Sequence, residues 1–256
     1  RKNDSKIQIP FTIDHKRINQ NGKTYTFKLL EYLEGEFLHE KTMSLQDYTN
    51  MGSFMGKLST ALIDFNHKAA HRSFAWDCRQ TSILKTNLNF IVSNTKQNTI
   101  LFFLDKYEKN VVPFLDKLRM SVIHNDGNDH NIIINQKHKT FGIIDFGDMV
   151  HSFHIVEPAV AIAYIYLNNQ SPFEKIYAFL KGYHSSFPLK TLELKVLIYF
   201  MCMRLCTTVT MSAWRKKLFP KNKYLRISEK PAWSALDKLS KSNLSRLSKD
   251  LLKNVK

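Results

Sequence analysis

"VIHNDGNDHNIIINQKHKTFGIIDFGDM", residues 122–149, sets two clusters of acids and amides at the ends of short apolar runs. The first is His124-x-Asp126 followed by Asn131, and the second is Asp145-Phe146-Gly147-Asp148. Between them "NIIIN" and "TFGIID" are rich in residues that suit an extended chain and read as two strands joined by a turn. Pairing them as a hairpin would bring Asn131 close to Asp145, although fourteen residues separate the two. Taken singly, either cluster reads equally well as Asx turns at strand ends. Taken together, the order of polar positions suits phosphoryl transfer. That chemistry needs a hydroxyl oriented for in-line attack, a divalent cation held against phosphates, and an offset to spreading negative charge. Asp126 can orient or deprotonate the hydroxyl, Asn131 and Asp145 can give Mg2+ hard oxygen ligands, and His124 can brace the loop by hydrogen bonding.

Working outward, the 256 residues allow one large domain or two small ones with a full hydrophobic core. No uninterrupted apolar run reaches the ~18 residues of a membrane span, and no signal-peptide pattern opens the chain. Three cysteines, Cys78, Cys202 and Cys206, are too few for a disulfide scaffold. Cys202 and Cys206 share a helical face but lack metal-ligating neighbours, so small buried hydrophobes are expected. These features point to a cytoplasmic protein. The net charge of +16 raises nucleic acid or an anionic membrane as partners, but the lysines are spread along the chain without a nucleic-acid-binding motif. A small molecule and a nucleotide are the expected partners; the sequence leaves the oligomeric state open.

Residues 7–18 and 23–33 read as two extended segments around the Asn21-Gly22 turn signal. From residue 43 the spacing turns helical, with Leu45, Tyr48, Met51, Met55, Leu58 and Leu62 on one stripe and a Ser44–Asp47 capping box. Helical periodicity continues over about 81–119, after Pro158, and over 173–184, 190–213 and 231–253. The fold expected is α+β, with a hairpin, a mostly helical body and a small internal β-unit.

"HNDGNDHN...IIDFGD" resembles the catalytic and metal-binding loops of the aminoglycoside phosphotransferase-like branch of the protein-kinase fold. Within that branch, "FNHKAAHRSFAWDCRQ" and "MRLCTTVTMSAWRKKLFPKNKYLRISEKPAW" are similar to the hydroxylysine kinases and to the related kinase domain fused to some aminotransferases. The resemblance covers essentially the whole chain. It implies that Asp126 is the catalytic base, that Asn131 and Asp145 are Mg2+ ligands, and that Asp148 is a supporting acid. It also implies that Glu31, Tyr32 and Leu33 form the hinge that holds the nucleotide base. The donor it implies is GTP, or ATP, and the acceptor the side-chain hydroxyl of 5-hydroxy-L-lysine. The alternatives are a kinase of another amino alcohol, such as choline, ethanolamine or an aminoglycoside, or a non-catalytic scaffold. Asn125 stands where the family usually has Gly, a change that Asn tolerates better than most residues. For an amino-acid acceptor, Glu157 is a candidate for an amine and Arg204 for the carboxylate, an internal ion pair being the other reading of both. Trp76-Asp77 and His71-Arg72 either line or buttress that side or serve equally well as packing, and Trp214 and Trp233 are assigned to packing.

The same resemblance divides the chain into a remnant of the N-terminal lobe, 1–38, and a helical C-terminal lobe carrying both loops, 39–256. Neither a glycine-rich hairpin nor a "V-A-I-K"-like strand precedes the hinge in these residues. With Arg1 rather than Met at the start, a fragment of a longer kinase is expected, with weak nucleotide binding and little turnover by itself.

Overall fold

Asn21 and Gly22 reverse the chain with φ values of +50° and +72°, the pair of left-handed residues that a two-residue hairpin turn requires. The computed structural model describes residues 7–137 and 139–256. The turn joins β1 (Thr12–Gln20) to β2 (Lys23–Leu30) in antiparallel register, Gln20 opposite Lys23. Both strands are exposed along their length, so large apolar side chains such as Ile13, Phe27 and Leu29 are more than half bare.

Two compact units emerge, Arg1–Thr42 with Asn128–Asp145, and Met43–Gly127 with Phe146–Lys256. Besides the hairpin, the first unit holds a three-stranded antiparallel sheet in which β5 (Ile132–Asn135) lies between β3 (Glu36–Phe37) and β6 (Thr140–Ile143). Ile132 and Ile143 face each other in register and are fully buried, which fixes how the two ends of this hairpin align. Sequence patterning reveals β5 and β6 but not β3, which is too short to carry a period.

The second unit is helical around one small sheet. Ser44 caps α1 (Leu45–Leu62), accepting from the Asp47 N–H at 3.2 Å while Asp47 accepts from the Ser44 N–H at 2.9 Å. The buried face of α1 includes Gly52 and Gly56 as well as the expected Tyr48, Met51, Met55 and Leu58, whereas Leu45 is exposed. These glycines let α1 touch α5 (Pro172–Ser186) backbone to backbone: a Cβ on Gly52 would lie 1.9 Å from the Phe179 carbonyl oxygen. The helical stretch over 81–119 resolves into α2 (Thr81–Asn87) and α3 (Asn94–Asn110), each followed by a 3-10 turn.

Pro158 falls in the first turn of α4 (Val156–Leu167) and not before it, a place where its missing N–H costs nothing. The final helix expected over 231–253 is two helices, α7 (Glu229–Ser240) and α8 (Leu244–Val255). Asn243 separates them by accepting the Arg246 N–H at 3.0 Å, an N-cap inside an otherwise continuous amphipathic pattern. At the centre lies α6 (Thr191–Leu218), packed on α2, α3, α4, α7 and α8. It is long and apolar enough to cross a membrane, but 94% of its most apolar window is buried within the protein.

Candidate active site

The Asp126 loop leaves a two-stranded antiparallel sheet that the sequence only half revealed. β4 (Met120–Ile123) pairs with β7 (Val150–Phe153), Ile123 opposite Val150. Immediately after β4, His124 and Asn125 are fully buried, and Asn125 adopts φ +67°. The left-handed turn at Asn125 is the conformation for which Gly is the usual residue. Among the described residues, its side-chain amide has no hydrogen-bond partner on either atom.

Three side chains brace this turn. Nδ1 of His124 accepts the backbone N–H of Asp126 at 3.3 Å, and the His124 ring meets the edge of Phe146 at 4.8 Å between centroids. Glu157, in the first turn of α4, accepts the N–H groups of His124 at 2.6 Å and Asn125 at 3.2 Å through one carboxylate oxygen. Its other oxygen has no partner among the described residues, and burial lifts the Glu157 carboxyl to about 7 against the pull of those two donors. Arg204, from the middle of α6, donates from Nη2 to Oδ1 of Asp126 at 2.7 Å.

These contacts answer where the two residues suggested for an amino-acid acceptor lie. Glu157 is 1% exposed and Arg204 2% exposed, so both serve as internal supports of the Asp126 loop. The internal reading is favoured by energetics: a buried cation needs a partner inside the protein, and Arg204 has one in Asp126.

In the other unit, the β5–β6 hairpin places Asn131 and Asp145 at one end. The Ile144 N–H donates to the Asn131 carbonyl at 3.0 Å, so the residues flanking this bond lie side by side despite their sequence separation. Asp145 is exposed and holds φ +61°, whereas Asn131 is 8% exposed. Among the described residues, no cluster of three or more His, Cys, Asp and Glu side chains could hold a metal alone. One carboxylate and one amide oxygen at a hairpin end nevertheless fit Mg2+, which takes one or two protein oxygens and completes its shell with phosphate and water.

Asp148 closes a 3-10 turn over Phe146–Asp148. Arg72 clamps that turn by donating to the carbonyls of Gly147 at 2.7 Å and Met149 at 3.1 Å. Its neighbour His71 stacks on His151 with centroids 4.3 Å apart. Asp77 is buried against Arg79 and Ser152, at 3.0 and 2.9 Å, while Trp76 lies against the Arg204 guanidinium. Trp233 carries Lys96 over its ring, and Trp214 is half-buried near the end of α6. In the first unit, the Glu31 N–H donates to the Phe11 carbonyl at 3.0 Å, Tyr32 is 84% exposed, and Leu33 lies against Gly142.

All three cysteines are free and buried, and burial pushes the Cys78 thiol up to about 12 and the other two well above the ordinary range. They stay protonated and act as small hydrophobes. Tyr164 escaped notice in the sequence because "AVAIAYIYL" reads as uniform core; its hydroxyl meets Arg204 Nη2 at 3.3 Å.

The sequence profile of the phosphotransferase enzyme family matches residues 3–188, and the chain belongs to that family. Its fold is that of the kinase-like members: it aligns with an amicoumacin kinase in complex with AMP-PNP, Ca2+ and Ami at a TM-score of 0.68 and 16% identity. That alignment covers 94% of this chain and 76% of the other. A microcompartment-associated aminopropanol kinase aligns at a TM-score of 0.67 and 15% identity, covering 98% of this chain and 78% of its own. In sequence, the hydroxylysine kinase of Mus musculus is 28% identical over 230 residues, or 85% of this chain. The match takes in 61% of that relative, so the chain spans about three fifths of its length.

Proposed function

We propose that this chain is part of a small-molecule kinase that transfers the γ-phosphate of GTP to the hydroxyl of 5-hydroxy-L-lysine. The observation that carries the reading is the braced Asp126 loop in a chain similar to hydroxylysine kinases over 85% of its length.

In this reading Asp126 orients the acceptor hydroxyl and takes its proton, and His124 and Glu157 keep the loop in shape. Asn131 and Asp145 hold Mg2+, with Asp148 in support and Arg72 fixing the turn that carries it. When bound, Mg2+ offsets charge on the β- and γ-phosphates. Glu31, Tyr32 and Leu33 meet the nucleotide base through the backbone. A glycine-rich cover over the phosphates and a strand lysine are absent from residues 1–256, so efficient transfer needs these parts from elsewhere.

The test is a transfer assay on the full-length protein with Mg2+ and either GTP or ATP, offering 5-hydroxy-L-lysine, choline, ethanolamine and an aminoglycoside. Turnover on hydroxylysine above the rest supports the reading. Turnover on another alcohol with none on hydroxylysine moves the acceptor, and a greater kcat/KM with ATP reverses the donor.

A further inference from the structure

We propose that Arg204 is a positioning residue for phosphoryl transfer, acting through Asp126 and not on the acceptor. This rests on the kinase reading above and deepens it, since it transfers Arg204 from substrate recognition to the loop that orients the attacking hydroxyl.

Both terminal nitrogens of the guanidinium are engaged around the Asp126 loop, while its Nε has no hydrogen-bond partner among the described residues. Nη2 donates to Asp126 Oδ1 at 2.7 Å and to the Tyr164 hydroxyl at 3.3 Å. Nη1 faces the carbonyls of Asn125 and Trp76, each at 3.4 Å. The rings of Trp76 and Tyr164 lie 4.9 and 5.5 Å from the central guanidinium carbon. One planar group therefore binds the carboxylate of Asp126, the backbone one residue before it, and two aromatic faces.

An internal ion pair that only stabilised the fold would need none of this directionality. Guanidinium is planar with donors in a fixed fork, so several simultaneous bonds fix the rotation of the carboxylate it holds. Among the described residues, Asp126 is the only carboxylate within ion-pair distance of Arg204, which is 2% exposed. The acceptor cannot reach a side chain so enclosed without breaking that pair. Lysine at this position would keep the charge and lose the fork, which separates charge balance from orientation.

The experiment compares Arg204→Lys, Arg204→Met and Tyr164→Phe in the full-length protein by steady-state kinetics. Arg204→Lys should lower kcat by about a hundredfold, the scale of loss for a small misplacement of a reacting group. The KM values for acceptor and nucleotide should stay within about threefold, and Arg204→Met should lose more than Arg204→Lys. Tyr164→Phe, which keeps the ring and removes one partner, should lose severalfold in kcat alone. A wild-type kcat in Arg204→Lys, or a loss confined to the acceptor KM, overturns the proposal.

A double-mutant cycle on unfolding, with Asp126→Asn and Arg204→Met, reads the pair without any turnover. Coupling of at least tenfold in the unfolding constant is expected, and additive effects overturn the pairing on which the proposal stands. Failure of every acceptor with the wild-type protein would sink the kinase reading, while the cycle still decides the pair.

Discussion

Arg204 reaches from the middle of the long central helix α6 to hold Asp126, seventy-eight residues earlier in the chain, at 2.7 Å. A long apolar helix thus delivers one charged group to the one loop whose carboxylate the proposed chemistry uses. The pair accounts for the cost of burying a cation there, and it ties loop geometry to the integrity of the helical core.

Removing the carboxylate should therefore affect two quantities at once. Asp126→Ala leaves the Arg204 guanidinium buried without its anion, and urea unfolding should show a loss of about 3 to 5 kcal/mol. Asp126→Asn keeps a hydrogen-bond acceptor and should lose less. Equal stability for the wild type and Asp126→Ala would mean that the pair contributes nothing.

Glu157 makes the fold sensitive to pH. Its carboxyl is raised from 4.5 to about 7 by burial, so the folded state binds its proton more tightly than the unfolded one. The resulting stabilisation is full below the unfolded value and is lost as pH rises through about 7. Glu157→Gln abolishes this titration. Between about pH 5 and pH 8 the wild type should lose up to about 3 kcal/mol relative to Glu157→Gln in chemical unfolding. Parallel stability curves for the two proteins would refute the assignment.

Asn125 combines a left-handed backbone with a buried amide that has no partner among the described residues. Asn125→Gly should relieve both and raise stability by about 1 kcal/mol, whereas Asn125→Ala should lower it because Ala keeps the strain. Calorimetric melting of the two variants checks the opposite signs. A gain with Ala would contradict this account of the turn.

The contact between α1 and α5 predicts intolerance of one methyl group. Gly52→Ala and Gly182→Ala would each place a Cβ within 1.9 Å of a backbone oxygen, so each should cost about 3 kcal/mol or more by denaturant unfolding. A normal midpoint for both would show that the helices can separate without penalty.

The two loops were readable because their chemistry fixes residue types at short spacing, and the β5–β6 hairpin because its apolar runs flank a polar turn. Asn21-Gly22 was readable for the same local reason. The pairing of β4 with β7 was not, since their union depends on the fold between residues 123 and 150. The break between α7 and α8 hid inside a continuous amphipathic pattern, where only the side-chain bond of Asn243 marks a new start. For Arg204 the apolar 194–206 segment points to burial but not to the partner, so carboxylate recognition stays open beside the favoured internal ion pair. Distance from Asp126 in the chain is what concealed the answer, and the same holds for Glu157, whose donors lie more than thirty residues earlier.

In the proposed mechanism the Asp126 loop performs phosphoryl transfer. Its most direct test is the rate of γ-phosphate transfer to 5-hydroxy-L-lysine by the full-length protein and its Asp126→Asn variant, measured side by side at saturating Mg2+ and nucleotide. Transfer is expected from the wild type, with a loss of about a thousandfold in the folded variant, within the range for removing a general base. Wild-type rates from folded Asp126→Asn would contradict the mechanism.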